Sequence, residues 1–88
     1  MGNEQQGLRI KLQMPFEVEN SREPATVNAI YCEVGDEVEV GDALVEMLNP
    51  DRIFDISAPV AGRVEQVLVR EGQTVRGGET LVVIRSKK

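Results

Sequence analysis

The sequence of 88 residues contains no histidine, no tryptophan and a single cysteine, Cys32. Without histidine there is no histidine-based catalytic triad, no imidazole proton shuttle and no zinc site with imidazole ligands. One cysteine permits no internal disulfide, which is compatible with the cytosol. No apolar run approaches the roughly 20 residues that span a bilayer, and residues 1–6 lack the apolar stretch of a signal peptide. We therefore expect a cytoplasmic protein.

Aromatic residues make up only 3% of the chain, so any core must consist of Val, Leu, Ile, Met and Ala. With 41% hydrophobic and 28% charged residues, the composition is that of one small globular domain and not of a disordered tail. The formal net charge is -5. This acidic balance argues against a nucleic-acid groove, which would need clustered Lys and Arg.

The apolar pattern has the period of β-strands. Residues 8–12 alternate apolar and polar side chains, and residues 65–70 and 80–84 are rich in β-branched residues. No segment shows the helical spacing of apolar residues. We predict an all-β chain with eight short strands, at residues 8–13, 25–32, 37–39, 44–48, 53–57, 62–69, 74–76 and 80–85.

The chain contains an internal repeat. Residues 25–45 align without a gap with residues 62–82, at a constant offset of 37. Glycine and apolar positions match between the copies, while the intervening polar positions differ. Gly35, Gly41, Gly72 and Gly78 are expected in turns with positive φ, and the valines at 38 and 75, between these turns, are expected to point inward. Two copies predict a pseudo-two-fold domain, because a solenoid needs about three or more.

A loop breaks this symmetry. Residues 12–15 resemble residues 56–59 at an offset of 44, so the first half carries an insertion of seven residues within residues 16–24. Symmetry-breaking loops often carry specific function, although a solvated connector is the alternative. The nearby acidic residues Glu37, Glu39 and Asp42 are interpreted as a solvated strand edge that blocks further pairing, and not as a metal or acid–base site.

Two residues of the first copy are interpreted from their partners in the second. Cys32 aligns with Val69, so we predict a buried small hydrophobe and not a reactive thiol. Tyr31 aligns with Leu68, and we expect it to pack on the sheet with its hydroxyl toward water.

Several segments together resemble biotinyl/lipoyl carrier domains, and most closely the lipoyl domains of 2-oxo acid dehydrogenase acyltransferases. These segments are Met14-Pro15, Ala25-Thr26-Val27, Gly35-Asp36-Glu37-Val38, Leu44-Val45-Glu46 and Ala58-Pro59-Val60-Ala61-Gly62. The loop at 16–24 favours the lipoyl version. The resemblance covers residues 8–85 and implies a flattened barrel, or barrel-sandwich hybrid, of two four-stranded antiparallel sheets with pseudo-two-fold symmetry. Residues 1–7 are then a disordered N-terminal tail and residues 86–88 a C-terminal tail.

The family's functional centre is a lysine at a hairpin tip, whose amine carries lipoate or biotin in amide linkage. Counting back from Ala58-Pro59, the lysine position falls on Asp51, and Arg52 follows. A carboxylate is no acyl acceptor, and a guanidinium stays protonated and is a poor nucleophile. The three lysines of the chain are Lys11 in the first strand and residues 87 and 88. We therefore expect no covalently bound cofactor.

These features lead to three hypotheses. The first is an unmodified, non-catalytic and monomeric interaction or assembly module, related to a multienzyme complex, that binds a protein of unknown identity but no nucleic acid and no membrane. The second is a lipoyl or biotinyl carrier domain of an acyltransferase or carboxylase, and the third a structural adaptor. The resemblance implies that the tip and the adjacent loop contact partners, although both could be simple solvated turns. The candidate partner-binding residues are Asn49, Pro50, Asp51, Arg52, Glu17, Glu19, Asn20, Ser21, Arg22 and Glu23.

Overall fold

A computed structural model describes residues 7–15, 24–50 and 52–87. In these three ranges the chain forms strands connected by turns, without a helix. The all-β prediction is confirmed, and every strand begins and ends within two residues of its predicted bounds. The strands are β1 (Arg9–Gln13), β2 (Ala25–Ile30), β3 (Glu37–Val38), β4 (Ala43–Asn49), β5 (Arg52–Ser57), β6 (Gly62–Val67), β7 (Thr74–Val75) and β8 (Thr80–Ser86).

The strands form two four-stranded sheets in which all neighbours are antiparallel. Sheet A has the order β1-β8-β6-β3, and sheet B has the order β5-β4-β2-β7. Replacing each strand of sheet A by the strand four places away in the sequence gives the order of sheet B. The predicted pseudo-two-fold relation between the halves is therefore confirmed, and each half contributes strands to both sheets.

The core between the sheets is aliphatic, as the composition predicts. Its largest fully buried side chains are Leu44, Met47, Leu81, Ile84, Val27, Val45, Val64, Val75 and Val82. The predicted inward orientation of the two valines between the turns is also confirmed, since Val38 and Val75 are both buried. Cys32 is buried as predicted, and desolvation, followed by the charge of Asp36, raises the pKa of its thiol. A raised thiol pKa favours the unreactive neutral form.

The repeated glycines form equivalent turns before the short strands. Gly35 has φ of 99° and Gly72 has φ of 90°, and both φ values lie in the left-handed region that favours glycine. The amide of Gly35 donates to the carbonyl of Val64, and the amide of Gly72 donates to the carbonyl of Val27, each at 2.8 Å. The positive φ expected from the repeat is confirmed. The Gly35 turn is bonded to β6, which pairs with β3, and the Gly72 turn is bonded to β2, which pairs with β7.

The outer face of sheet A carries a cluster of ion pairs. The guanidinium of Arg9 donates to one carboxylate oxygen of Glu65 at 3.1 Å, and that of Arg85 donates to the other at 3.0 Å. These two hydrogen bonds lower the pKa of Glu65 below its usual value. Nearby, the guanidinium of Arg63 lies 3.2 Å from a carboxylate oxygen of Glu37.

The Glu65 cluster makes stability depend on pH. Because the folded-state pKa of Glu65 is lowered, its ionised form stabilises the fold above its unfolded pKa, and this contribution is lost as the pH falls through the folded value. We expect Glu65→Gln to lower the urea midpoint slightly near neutral pH, and this difference to shrink at about pH 3. Urea unfolding at both pH values measures the effect. Glu39→Gln, at an exposed side chain, is the control, and an equal midpoint loss at both pH values would contradict the prediction.

Candidate functional site

The tip hairpin, which comprises β4, β5 and the two residues between them, closes one end of sheet B. Its register runs from Ala43 opposite Ser57 to Asn49 opposite Arg52. The backbone amide of Arg52 donates to Oδ1 of Asn49 at 3.0 Å, which fastens the turn from within. Pro50 fixes φ at the first linking position, whereas Asp51 lies outside the described residues. The structure thus brings Asn49, Pro50 and Arg52 together at one end.

Arg52 is tied to an aromatic ring, a contact that the sequence analysis missed. The carbon Cζ of its guanidinium lies 5.4 Å from the centroid of the Phe54 ring, within the range of a cation–π interaction. Phe54 is partly buried and packs against the core. The two residues are two positions apart in β5 and therefore lie on the same side of the strand. This spacing is the sequence feature from which the contact could have been predicted. The contact restrains the positive charge beside the tip.

The predicted loop residues lie outside the described residues. These are Glu17, Glu19, Asn20, Ser21, Arg22 and Glu23. The chain re-enters the described region at Pro24, and Thr26 of β2 pairs with Leu48, the residue before Asn49. The C-terminal flank of the loop therefore lies at the tip end of the sandwich.

The opposite end of the molecule is closed by an equivalent bond. The amide of Leu8 donates to Oγ of Ser86 at 2.8 Å, and the amide of Ser86 donates to the carbonyl of Leu8 at 2.8 Å. The offsets of 37 and 44 make Ser86 the counterpart of Asn49 and Leu8 the counterpart of Arg52. The pseudo-two-fold axis therefore repeats the side-chain closure of the tip where β1 and β8 meet.

The described lysines do not lie at the turn between β4 and β5. Lys87 follows β8; its amide donates to the carbonyl of Ala61 at 3.0 Å and its Nζ lies 3.8 Å from Glu37. Residues 58–61 connect the far end of β5 to β6, so this position is at the end opposite the tip. Lys11 lies within β1 opposite Val83. Lys88 lies outside the described residues.

The outer face of sheet B carries a carboxylate-rich group beside Tyr31. The hydroxyl of Tyr31 donates to Oε1 of Glu46 at 3.3 Å, and Nδ2 of Asn28 donates to the same oxygen at 2.9 Å. Desolvation, followed by the charge of Glu46 and this hydrogen bond, raises the pKa of Tyr31, and Asp55 and Glu71 add to the shift. Tyr31 is 54% exposed, so its hydroxyl is on the solvent side of the sheet as expected.

Two pseudo-symmetric sheets with a hairpin tip define a domain of the biotinyl/lipoyl class. Residues 10–84 match the sequence profile of the biotin/lipoyl family, which is described as "Biotin-requiring enzyme". The chain belongs to this family. In the part of the chain that the structure describes, no helix is long and apolar enough to cross a membrane.

Curated relatives come from pyruvate dehydrogenase complexes. The dihydrolipoyllysine-residue acetyltransferase component of the pyruvate dehydrogenase complex of Staphylococcus aureus strain N315 is 37% identical over 54 residues, covering 61% of this chain and 13% of that protein. The same component from Staphylococcus epidermidis is 39% identical over 54 residues, covering 61% of this chain and 12% of that protein. The chain therefore spans about an eighth of the length of these relatives.

Solved structures share the fold. A single-chain, multi-domain long-chain acyl-CoA carboxylase is 25% identical with a TM-score of 0.74, covering 91% of this chain and 7% of that chain. The lipoyl domain of the 2-oxoglutarate dehydrogenase complex from Azotobacter vinelandii is 20% identical with a TM-score of 0.68, covering 88% of this chain and 99% of that chain. The expected architecture of two four-stranded antiparallel sheets is confirmed.

Proposed function

We propose that this chain is an unmodified biotinyl/lipoyl-like domain that acts as a protein interaction module. The observation that carries the proposal is the tip sequence Asn49-Pro50-Asp51-Arg52, in a chain with no lysine between residues 11 and 87. Amide attachment of lipoate or biotin needs a primary amine, which neither a carboxylate nor a guanidinium supplies. The residues of the tip do not fit a covalently attached arm.

The hairpin is nevertheless closed at this end. The bond from the amide of Arg52 to the side chain of Asn49 closes it without any cofactor, and the cation–π contact with Phe54 restrains Arg52. Charged groups in a restrained turn lose less side-chain entropy on binding and can form charge-assisted hydrogen bonds. We infer that the tip and residues 17–23 act as a recognition surface for a protein partner.

The comparisons indicate where such a partner would be found. The relatives are named as components of the pyruvate dehydrogenase complex, and one structural neighbour is a multi-domain carboxylase. We infer that this domain is a non-catalytic element associated with an assembly of this kind, and that its partner is another protein of that assembly.

A carrier domain of an acyltransferase or carboxylase is the second candidate function. Family membership and the dihydrolipoyllysine in the relatives' name favour it. A carrier needs a lysine that a lipoyl or biotinyl ligase accepts. Lys11 lies in β1 of sheet A and Lys87 follows β8 at the end opposite the tip, so an arm on either would start from a different part of the sandwich.

Intact-mass spectrometry after co-expression with a lipoate ligase or a biotin ligase separates the two functions. We expect the wild-type chain to keep the mass of its sequence, and Asp51→Lys to gain one lipoyl or biotinyl group, because this change returns an amine to the family position. Arg52→Lys, which places the amine one residue further on, is the matched control and should gain less. A modified wild-type chain would establish the carrier function, and an unmodified Asp51→Lys variant would contradict the assignment of position 51.

A further inference from the structure

The outer faces of the two sheets differ sharply at pseudo-equivalent positions near one end of each sheet. On sheet A, one cross-strand row is fully charged, and it consists of Arg9, Arg85, Arg63 and Glu37 in register. The equivalent positions on sheet B, found with the offsets of 37 and 44, form an uncharged row. This row consists of Ile53, Leu48, Thr26 and Thr74 in register.

The charged row of sheet A is satisfied within the domain. Glu65 accepts hydrogen bonds from Arg9 and Arg85, and Glu37 forms ion pairs with Arg63 and Lys87. Among the described residues, all four ion pairs lie on this face. Each charged side chain of this row therefore has a partner of opposite charge within the domain.

The uncharged row of sheet B exposes adjacent aliphatic side chains. Leu48 and Ile53 lie directly opposite each other across β4 and β5, and they are 39% and 58% exposed. Their counterparts on sheet A are Arg85 and Arg9, and the counterpart of Glu65 is Asn28. Where sheet A has an Arg–Glu–Arg cluster, sheet B has two exposed aliphatic residues and an amide. A pair of exposed aliphatic side chains in register costs free energy that a contacting surface would recover.

The next outward-facing row of sheet B is acidic. Glu46 lies directly opposite Asp55, and like charges in this arrangement destabilise a sheet. No ion pair of the described residues includes either carboxylate. Glu71 lies on the same side of the molecule, where its charge contributes, after desolvation, Glu46 and Asp55, to the raised pKa of Tyr31. Apolar surface and unneutralised negative charge therefore lie side by side.

We propose that the uncharged row and the Glu46–Asp55 pair form a docking face for a protein segment that carries aliphatic side chains flanked by Lys or Arg. The aliphatic side chains would cover Leu48 and Ile53, and the cations would neutralise Glu46 and Asp55. This proposal deepens the proposed function, on which it rests for the existence of a protein partner. The face is continuous with the tip, because Leu48 precedes Asn49 and Ile53 follows Arg52.

The charge distribution selects this occupant over others. A second copy of the chain placed with its own sheet B against this face would bring Glu46 and Asp55 near the same carboxylates, and like-charge juxtaposition opposes association. A nucleic acid would present phosphates to the same acidic groups. A cationic segment with aliphatic anchors satisfies both parts of the face.

Selection from a phage-displayed library of random short peptides tests the docking face. The control variant Asn28→Glu/Leu48→Arg/Ile53→Arg installs on sheet B the three residues that sheet A holds at the equivalent positions. We expect wild-type selection to enrich peptides that combine aliphatic residues with Lys or Arg. Their affinity should fall at least about tenfold for the control variant and should weaken with added salt.

A second variant keeps the test decisive if the triple substitution does not fold. Ile53→Ser removes one exposed aliphatic side chain and should weaken the same peptides, and Glu46→Gln/Asp55→Asn should remove the preference for Lys and Arg. Equal affinity for wild type and Ile53→Ser, enrichment of neutral or acidic peptides, or no enrichment at all would overturn the docking face. The mass experiment reports only covalent modification, so a modified wild-type chain would refute the unmodified module and leave these binding results unaffected.

Discussion

Replacing Val75 by aspartate is expected to unfold the domain at room temperature. Val75 is fully buried in β7, opposite Ala25. The substitution removes about 1.5–3 kcal/mol of burial and places a carboxylate without a partner in an aliphatic core, which costs at least several kcal/mol more unless the group is protonated. Small domains are stable by only about 5–15 kcal/mol. Far-ultraviolet circular dichroism during heating should show no cooperative transition.

The control for Val75→Asp is the same substitution at an exposed valine. Val40 lies two residues after Val38, the pseudo-equivalent of Val75, and it is 67% exposed. Val40→Asp should therefore melt close to the wild type. A cooperative melt of Val75→Asp at the wild-type temperature would contradict the packing of the valines between the sheets.

The second large effect is expected at Gly62. A methyl group at this position would overlap the carbonyl oxygen of Arg85 and would lie 2.9 Å from Cγ2 of Ile84. The overlap is with backbone, which no side-chain rotation relieves, so β6 and β8 must separate locally. Gly62→Ala should lower the free energy of unfolding by about 1–3 kcal/mol, which corresponds to about 4–8 °C of melting temperature for each kcal/mol. Thermal and urea denaturation measure this loss.

The other half of the molecule shows that the effect is local. Ala25 is the pseudo-equivalent of Gly62, and its methyl group is buried in β2. A Cβ is thus accommodated where β2 faces β4 and excluded where β6 faces β8. Ser57→Ala, at an exposed position of the edge strand β5, is the control and should change the midpoint little. A wild-type midpoint for Gly62→Ala would show that the two strands do not approach so closely.

The repeat made most of the fold predictable from the sequence. The matching Gly35 and Gly72 predicted two equivalent turns. The matching Val38 and Val75 predicted two equivalent buried positions between turns. A backbone path that is used twice is a strong constraint, because independent copies must agree on every special position. The pseudo-two-fold axis then relates the strand order of one sheet to that of the other.

The ends of β2 and β6 were predicted two residues too late. The apolar pattern continues through Cys32, but the amide of Tyr31 already donates to the carbonyl of Leu44, outside the regular pairing that β2 makes with β4 as far as Ile30. A β-bulge also shifts the register between Val27 and Ala29. Bulges and strand ends depend on the facing strand, so residue types along one strand do not reveal them.

The candidate site was predictable only in part. Asn49 and Pro50 are residue types that favour turns, and the chain does turn between β4 and β5 at this point. Asp51 and residues 17–23 lie outside the described residues. The exposed Leu48 and Ile53 were missed because the sequence comparison looked for positions that the two copies share. The sequence feature that could have identified them is a difference between the copies, in which Leu48 stands where the second copy has Arg85. That Leu48 and Ile53 form an exposed pair becomes evident only from the strand register.

The pairing of β1 with β8 has a mechanical consequence. Leu8 and Ser86 lie side by side at the same end of an antiparallel pair, in which the hydrogen bonds run perpendicular to the strands. A stretching force applied at these two residues would load the bonds one after another, like a zipper, and not all at once in shear. The domain should therefore open at low force from this end, while β4 and β5, joined by their turn, would bear none of that load directly.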